Sequence, residues 1–112
     1  MNPIKRTSVI ESLRELSDRS TQRRLWLSSG ASEVSSFAEA VEQLFTDTGL
    51  GDALDKGQTG LGALAEAALS KLDSALRKVD RSMGPDRLID SPQMAAVRAL
   101  ASAALTLVDV PE

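Results

Sequence analysis

The sequence predicts an all-α fold: a bundle of four main helices over about 8–28, 36–47, 61–83 and 92–109, with a glycine-rich loop at 49–62. Apolar residues recur every three or four positions along these four segments, and no run alternates as a strand does. Helix start and stop residues bracket the same segments. The composition, 42% apolar and 26% charged, is that of a globular protein rather than a disordered one. A chain of 112 residues makes one helical domain, 1–112, and buries roughly 65% of its unfolded surface.

The first helix opens at Ser8, three residues before Glu11, the spacing at which each side chain satisfies the other's free backbone N–H. Val9, Ile10, Leu13 and Leu16 form its apolar stripe. The stripe fades from Ser17 to Arg24 and resumes at Leu25, Trp26 and Leu27. One long helix with a solvated middle fits this better than a break near Asp18 or Ser20, and Gly30 is the natural stop. The second helix begins at Ser35 or Ser36, the latter again three residues from a glutamate, Glu39. Phe37, Val41, Leu44 and Phe45 share one face, and Thr46-Asp47-Thr48-Gly49 closes the helix.

Five of the seven glycines fall between Gly49 and Gly62, which reads as a loop with room for one helical turn at Asp52–Lys56. The third helix carries Leu61, Leu64, Ala65, Ala68, Leu72, Ala75, Leu76, Val79 and Met83 at helical spacing. Asp73 and Arg77 stand at i and i+4 in the favourable order, and Gly84-Pro85 ends the run. A further turn fits Pro85 to Ile89. The last helix has Ser91 as N-cap and Pro92 at its first position, where a missing N–H costs nothing. Met94, Val97, Ala101, Ala104 and Val108 line its inner face, and Pro111 ends it. The third and fourth helices form a hairpin, with the first two packed across them.

The chain has no His, Cys or Tyr, and its aromatics are Trp26, Phe37 and Phe45. These absences remove most general-base, nucleophile and metal-ligand chemistry. The segment Gly30-Ala31-Ser32-Glu33-Val34 begins like a nucleophile elbow but lacks the second glycine and any histidine partner. No serine stands three residues before a lysine. Asp47, Asp52 and Asp55 do not keep calcium-loop spacing. The stretch from Gly57 to Gly62, GQTGLG, precedes a helix but matches neither phosphate-binding glycine motif, so a connector is the better reading than an anion site. The sequence therefore predicts no enzyme, no catalytic or metal residues and no cofactor.

Net charge is −3, unevenly spread. Residues 1–30 hold Lys5, Arg6, Arg14, Arg19, Arg23 and Arg24 against Glu11, Glu15 and Asp18. Residues 31–60 hold Glu33, Glu39, Glu42, Asp47, Asp52 and Asp55 against Lys56. The two parts either pair with each other on folding or serve partners. The candidate interaction surface is Arg23, Arg24, Trp26, Glu39, Glu42 and Asp47. Trp26 fits a core plug against Phe37 and Phe45 better than an interface anchor, although Trp and Arg are both enriched at binding hot spots.

The function expected is protein–protein interaction through the helical surface and the acidic middle third, with a toxin-neutralising immunity or antitoxin protein as one alternative. The other alternative is a nucleic-acid-binding regulator using the basic first helix, which a sequence pI near 5.0 disfavours. The helical faces leave room for a homodimer. No leader follows Lys5-Arg6, and the longest uncharged run, Ala99 to Val108, is half a bilayer span or less. A soluble, cytoplasmic protein with no membrane partner is expected.

Overall fold

A computed structural model describes residues 5–27, 36–80 and 82–108. The expected stop at Gly30, the Ser35 start, the Gly30–Val34 segment, Glu33, residue 109 and Pro111 lie outside the described residues. Within them the chain is helical with no strand. The helices are α1 (Arg6–Ser17), α2 (Arg19–Trp26), α3 (Phe37–Glu42), α4 (Leu50–Lys56), α5 (Ala63–Arg77), α6 (Pro85–Ile89) and α7 (Pro92–Val108), with one π-helical turn, Gln43–Asp47, running on from α3.

The long first helix expected over 8–28 is two helices. α1 starts before Ser8, because the Lys5 N–H donates to the Thr48 carbonyl (3.1 Å) and brings the chain into helix at Arg6. The Ser8–Glu11 capping box is therefore not the start. At Asp18 the backbone is extended (φ −116°, ψ 110°). Its carboxylate accepts from the Ser20 N–H (3.1 Å) and the Thr21 hydroxyl (2.7 Å), capping α2. The break frees the Glu15 and Leu16 carbonyls, and both accept from the side-chain amide of buried Gln22, at 3.1 and 2.9 Å.

Ser36 caps α3 as its spacing requires, accepting from the Glu39 N–H (3.1 Å). Phe37, Ala40, Leu44 and Thr48 carry the buried face through the π turn. The Thr48 hydroxyl donates to the Leu44 carbonyl and accepts from the Leu50 N–H. The glycine-rich stretch is not all loop. Gly49 (φ +80°) and Gly57 (φ +63°) take the left-handed conformation that reverses the chain at each end of α4.

The third helix also differs from expectation. α5 ends at Arg77, short of 83, and Asp80 folds the following turn by accepting from the Ser82 N–H (2.9 Å) and hydroxyl (2.6 Å). Gly84-Pro85 opens α6 instead of stopping α5. Leu64, assigned to the apolar stripe, is 76% exposed. The buried face is Ala65, Leu69, Leu72 and Leu76, and Leu64 projects off its edge in the first turn. Ser91 caps α7, its hydroxyl accepting from the Met94 N–H (3.2 Å) while donating to the Leu88 carbonyl (2.7 Å).

α7 lies between α1 and α5 and runs antiparallel to both. Its inner positions Val97, Ala101 and Ala104 are small, which lets both neighbours approach closely. The Arg6 guanidinium at the start of α1 donates to the Val108 carbonyl at the end of α7 (2.7 and 3.2 Å), a cation at a helix C-terminus where the dipole favours it. α2 packs on α1 and α6, α3 and the π turn pack across α1, and α4 packs on the π turn. This arrangement replaces the four-helix bundle with its single loop. Among the described residues no helix is long and apolar enough to cross a membrane.

One core position is poorly used. The Ser12 hydroxyl, on the buried face of α1, has no hydrogen-bond partner among the described residues. Ser12→Ala removes an unsatisfied buried oxygen and improves helix propensity, so it is expected to raise stability by about 0.5–1 kcal/mol in a urea titration. A loss of stability would show that the hydroxyl is satisfied.

Candidate functional site

The described residues carry two charged surfaces and, beside Trp26, an apolar pocket. On the acidic side, Glu39 and Glu42 stand on the outer face of α3, and Asp47 ends the π turn; all three are exposed. Asp52 and Asp55 of α4 are exposed too, and Asp52 pairs with Lys56 (3.1 Å) within its own helix. Glu39, Glu42 and Asp47 make no ion pair among the described residues.

The basic side is built by α2, the end of α6 and α7. Arg19 and Arg23 stand one turn apart on α2. Arg19 pairs with Asp90, the residue that follows α6. Arg98 reaches the same place from α7, donating through Nη1 to the Gln22 side-chain oxygen (3.0 Å) and the Ile89 carbonyl (2.9 Å). The Arg19 hydrogen bond holds the Asp90 carboxyl below its ordinary range, more strongly than burial raises it, and the charges of Arg19, Arg23 and Arg98 add to the effect. Burial, then the repulsion of Arg19, lower the Arg98 guanidinium, and Asp90 partly offsets this. Arg24, exposed, completes the basic turn.

Folding favours the ionised form of Asp90, so its contribution is present above the unfolded pKa, near 3.8, and fades as pH falls through the lower folded value. Asp90→Asn is therefore expected to lose less stability than the parent between about pH 5 and pH 3. Urea midpoints across that range check this. Equal slopes would remove Asp90 from the acid response.

Of the six candidate residues, Trp26 stands apart, being only 7% exposed. Its indole N–H donates to Glu15 (2.9 Å), and its ring meets Phe37 edge-on at 6.0 Å and 84°. Trp26 and Phe37 line an apolar pocket of about 220 Å³ with Met83, Pro85 and Leu88. The structure thus separates the six: Arg23 and Arg24 on α2, Trp26 in the core beneath them, and Glu39, Glu42 and Asp47 on α3 and its π turn. Among the described residues Arg19–Asp90, Lys56–Asp52 and Arg77–Asp73 form ion pairs, and none of these joins α2 to α3 or α4.

The sequence reading missed Gln22, Asp90 and Arg98. Arg98 carried a usable signal, since it is the only charged residue between Pro92 and Val108. Gln22 carried none. The GQTGLG stretch forms the connector between α4 and α5, with the Thr59 hydroxyl accepting from the Leu61 N–H (3.1 Å). Among the described residues no three acidic side chains gather where they could hold a metal ion. The chain matches no protein-family model, no curated protein and no solved structure.

Proposed function

We propose that this protein is a non-enzymatic interaction module that binds a cationic protein surface through Glu39, Glu42 and Asp47. The observation that carries the reading is the unneutralised acidic face of α3 and its π turn, held on a helix that α1 and the buried Phe37, Ala40 and Leu44 fix in place. A carboxylate in water meets little cost there until a partner arrives. Electrostatic complementarity then speeds encounter and selects against acidic partners. A toxin-neutralising role is one form of this reading, in which the partner's cationic surface is its own active site.

Affinity capture from the native host, followed by binding of the identified and purified partner, tests the proposal. Joint reversal to E39K, E42K and D47K is expected to weaken that binding by about a hundredfold or more at low salt, with added salt weakening the parent's binding. Unchanged affinity after the reversal would reject the acidic face. If instead Arg23→Ala with Arg24→Ala abolished binding to plain DNA or RNA, the nucleic-acid reading would replace it.

A further inference from the structure

We propose that the guanidinium groups of Arg19, Arg23 and Arg98 form a phosphate-binding site that Asp90 occupies as an internal substitute for the ligand. This goes beyond the acidic-face reading and rests on different residues. Arg19 pairs with the Asp90 carboxylate, Arg98 donates to the carbonyl of the preceding residue, Ile89, and Arg23 stands one turn from Arg19 on α2, so three guanidinium groups are grouped with one carboxylate, an imbalance of two positive charges. Asp90 satisfies Arg19. Arg23 has no ion pair among the described residues. Arg98 spends Nη1 on Gln22 and the Ile89 carbonyl, and its Nε and Nη2 bond to none of the described residues.

The site is positioned as well as charged. Gln22 is fully buried, and its amide is fixed at the other end by the Glu15 and Leu16 carbonyls. That chain of bonds orients the Arg98 fork before any ligand arrives, which lowers the ordering cost of binding. Arg19 and Arg23 are exposed, one turn apart on α2, the helix that also carries Gln22. A tetrahedral dianion offers more acceptor oxygens than a carboxylate and, with Asp90 displaced, reduces three positive charges to one, where the carboxylate leaves two. Asp90 is itself exposed, so it can swing out as a phosphate enters.

The charge excess favours a terminal phosphate dianion on a small molecule; the monoanionic diester of a nucleic-acid backbone, with two non-bridging oxygens, is the other source that the test separates. The test follows backbone amide shifts of isotope-labelled protein during titration with inorganic phosphate at constant ionic strength, and separately with short single-stranded DNA. Phosphate is expected to saturate shifts confined to α2, α6 and the first two turns of α7. Asp90→Asn removes the internal competitor and should tighten binding about tenfold, whereas Arg23→Gln and Arg98→Met should each weaken it about tenfold. Arg98→Lys keeps the charge without the fork and should not restore binding. Saturation by DNA far tighter than by phosphate, with the same variant pattern, assigns the site to a nucleic-acid backbone; no gain from DNA assigns it to a small phosphorylated ligand. Non-saturating shifts, or unchanged affinity in both Asp90→Asn and Arg23→Gln, would overturn the proposal. These two side chains lie at the surface, so the outcome does not depend on Arg98→Met folding. The E39K, E42K and D47K variant should retain phosphate binding, which keeps failure of this site distinct from failure of the acidic face.

Discussion

Leu69→Ala is expected to cost about 2–5 kcal/mol of folding stability, while Leu64→Ala, five residues nearer the amino terminus, stays within about 0.5 kcal/mol. The two leucines share one helix and one chemistry, so their difference isolates burial. Leu69 is fully enclosed, and the face it belongs to is the one α5 turns toward α7. Truncation there removes three carbons' worth of apolar transfer and leaves a cavity that small α7 side chains such as Ala101 and Ala104 cannot fill. Leu64 already stands 76% in water and has little burial to lose. Against a total stability of about 5–15 kcal/mol for a small domain, the first change threatens folding and the second does not. Urea denaturation of both variants decides the matter. Similar costs would mean that α5 is rotated about its axis, with the face read from the sequence stripe turned inward.

That pair also shows why the sequence reading succeeded for helix existence and failed for helix detail. Periodicity places α5 and α7 because their inner faces repeat over four turns or more, and a period repeated that often tolerates one misassigned leucine. Ser36 and Ser91 mark helix starts correctly because a cap is a local bond, between residues three apart. The Ser8 signal has the same spacing and is not the start, because a long-range bond from Lys5 to Thr48 sets where α1 begins. Gly84-Pro85 was legible as punctuation but not as a beginning rather than an end. A proline fits the first turn of α6 as well as it forbids a continued α5.

The candidate site divides in the same way. The charges of Arg23, Arg24, Glu39, Glu42 and Asp47 are visible in the sequence, and exposure is the default for such residues. What no spacing reveals is that Arg19 and Asp90, or Gln22 and Arg98, meet across more than seventy residues. Those meetings require the packing of α2 on α6 and of α6 on α7. They follow from the break at Asp18, which turns α2 away from the line of α1. Continuity of the first helix was therefore the costliest misreading, since a straight helix carries Arg19 and Arg23 past α6 instead of against it.

Gln22→Ala tests that break directly and is expected to cost about 2–4 kcal/mol. Its amide is the sole side-chain donor described for the Glu15 and Leu16 carbonyls, and its oxygen is one of two acceptors for Arg98 Nη1. Alanine leaves those groups short of partners in a site that water reaches poorly, and it opens a cavity besides. Gln22→Met fills the volume without the bonds, so its remaining deficit measures the polar contribution alone. A double-mutant cycle with Arg98→Met should return a coupling of about 1 kcal/mol or more, because each substitution has already broken their shared bond. The competing outcome is physically specific. If α1 and α2 can straighten into one helix, the Glu15 and Leu16 carbonyls recover the backbone N–H groups of Arg19 and Ser20, and Gln22→Ala becomes nearly silent. A small cost accompanied by increased helical circular dichroism would therefore reject the break, and with it the juxtaposition of α2 and α6 on which the arginine cluster depends.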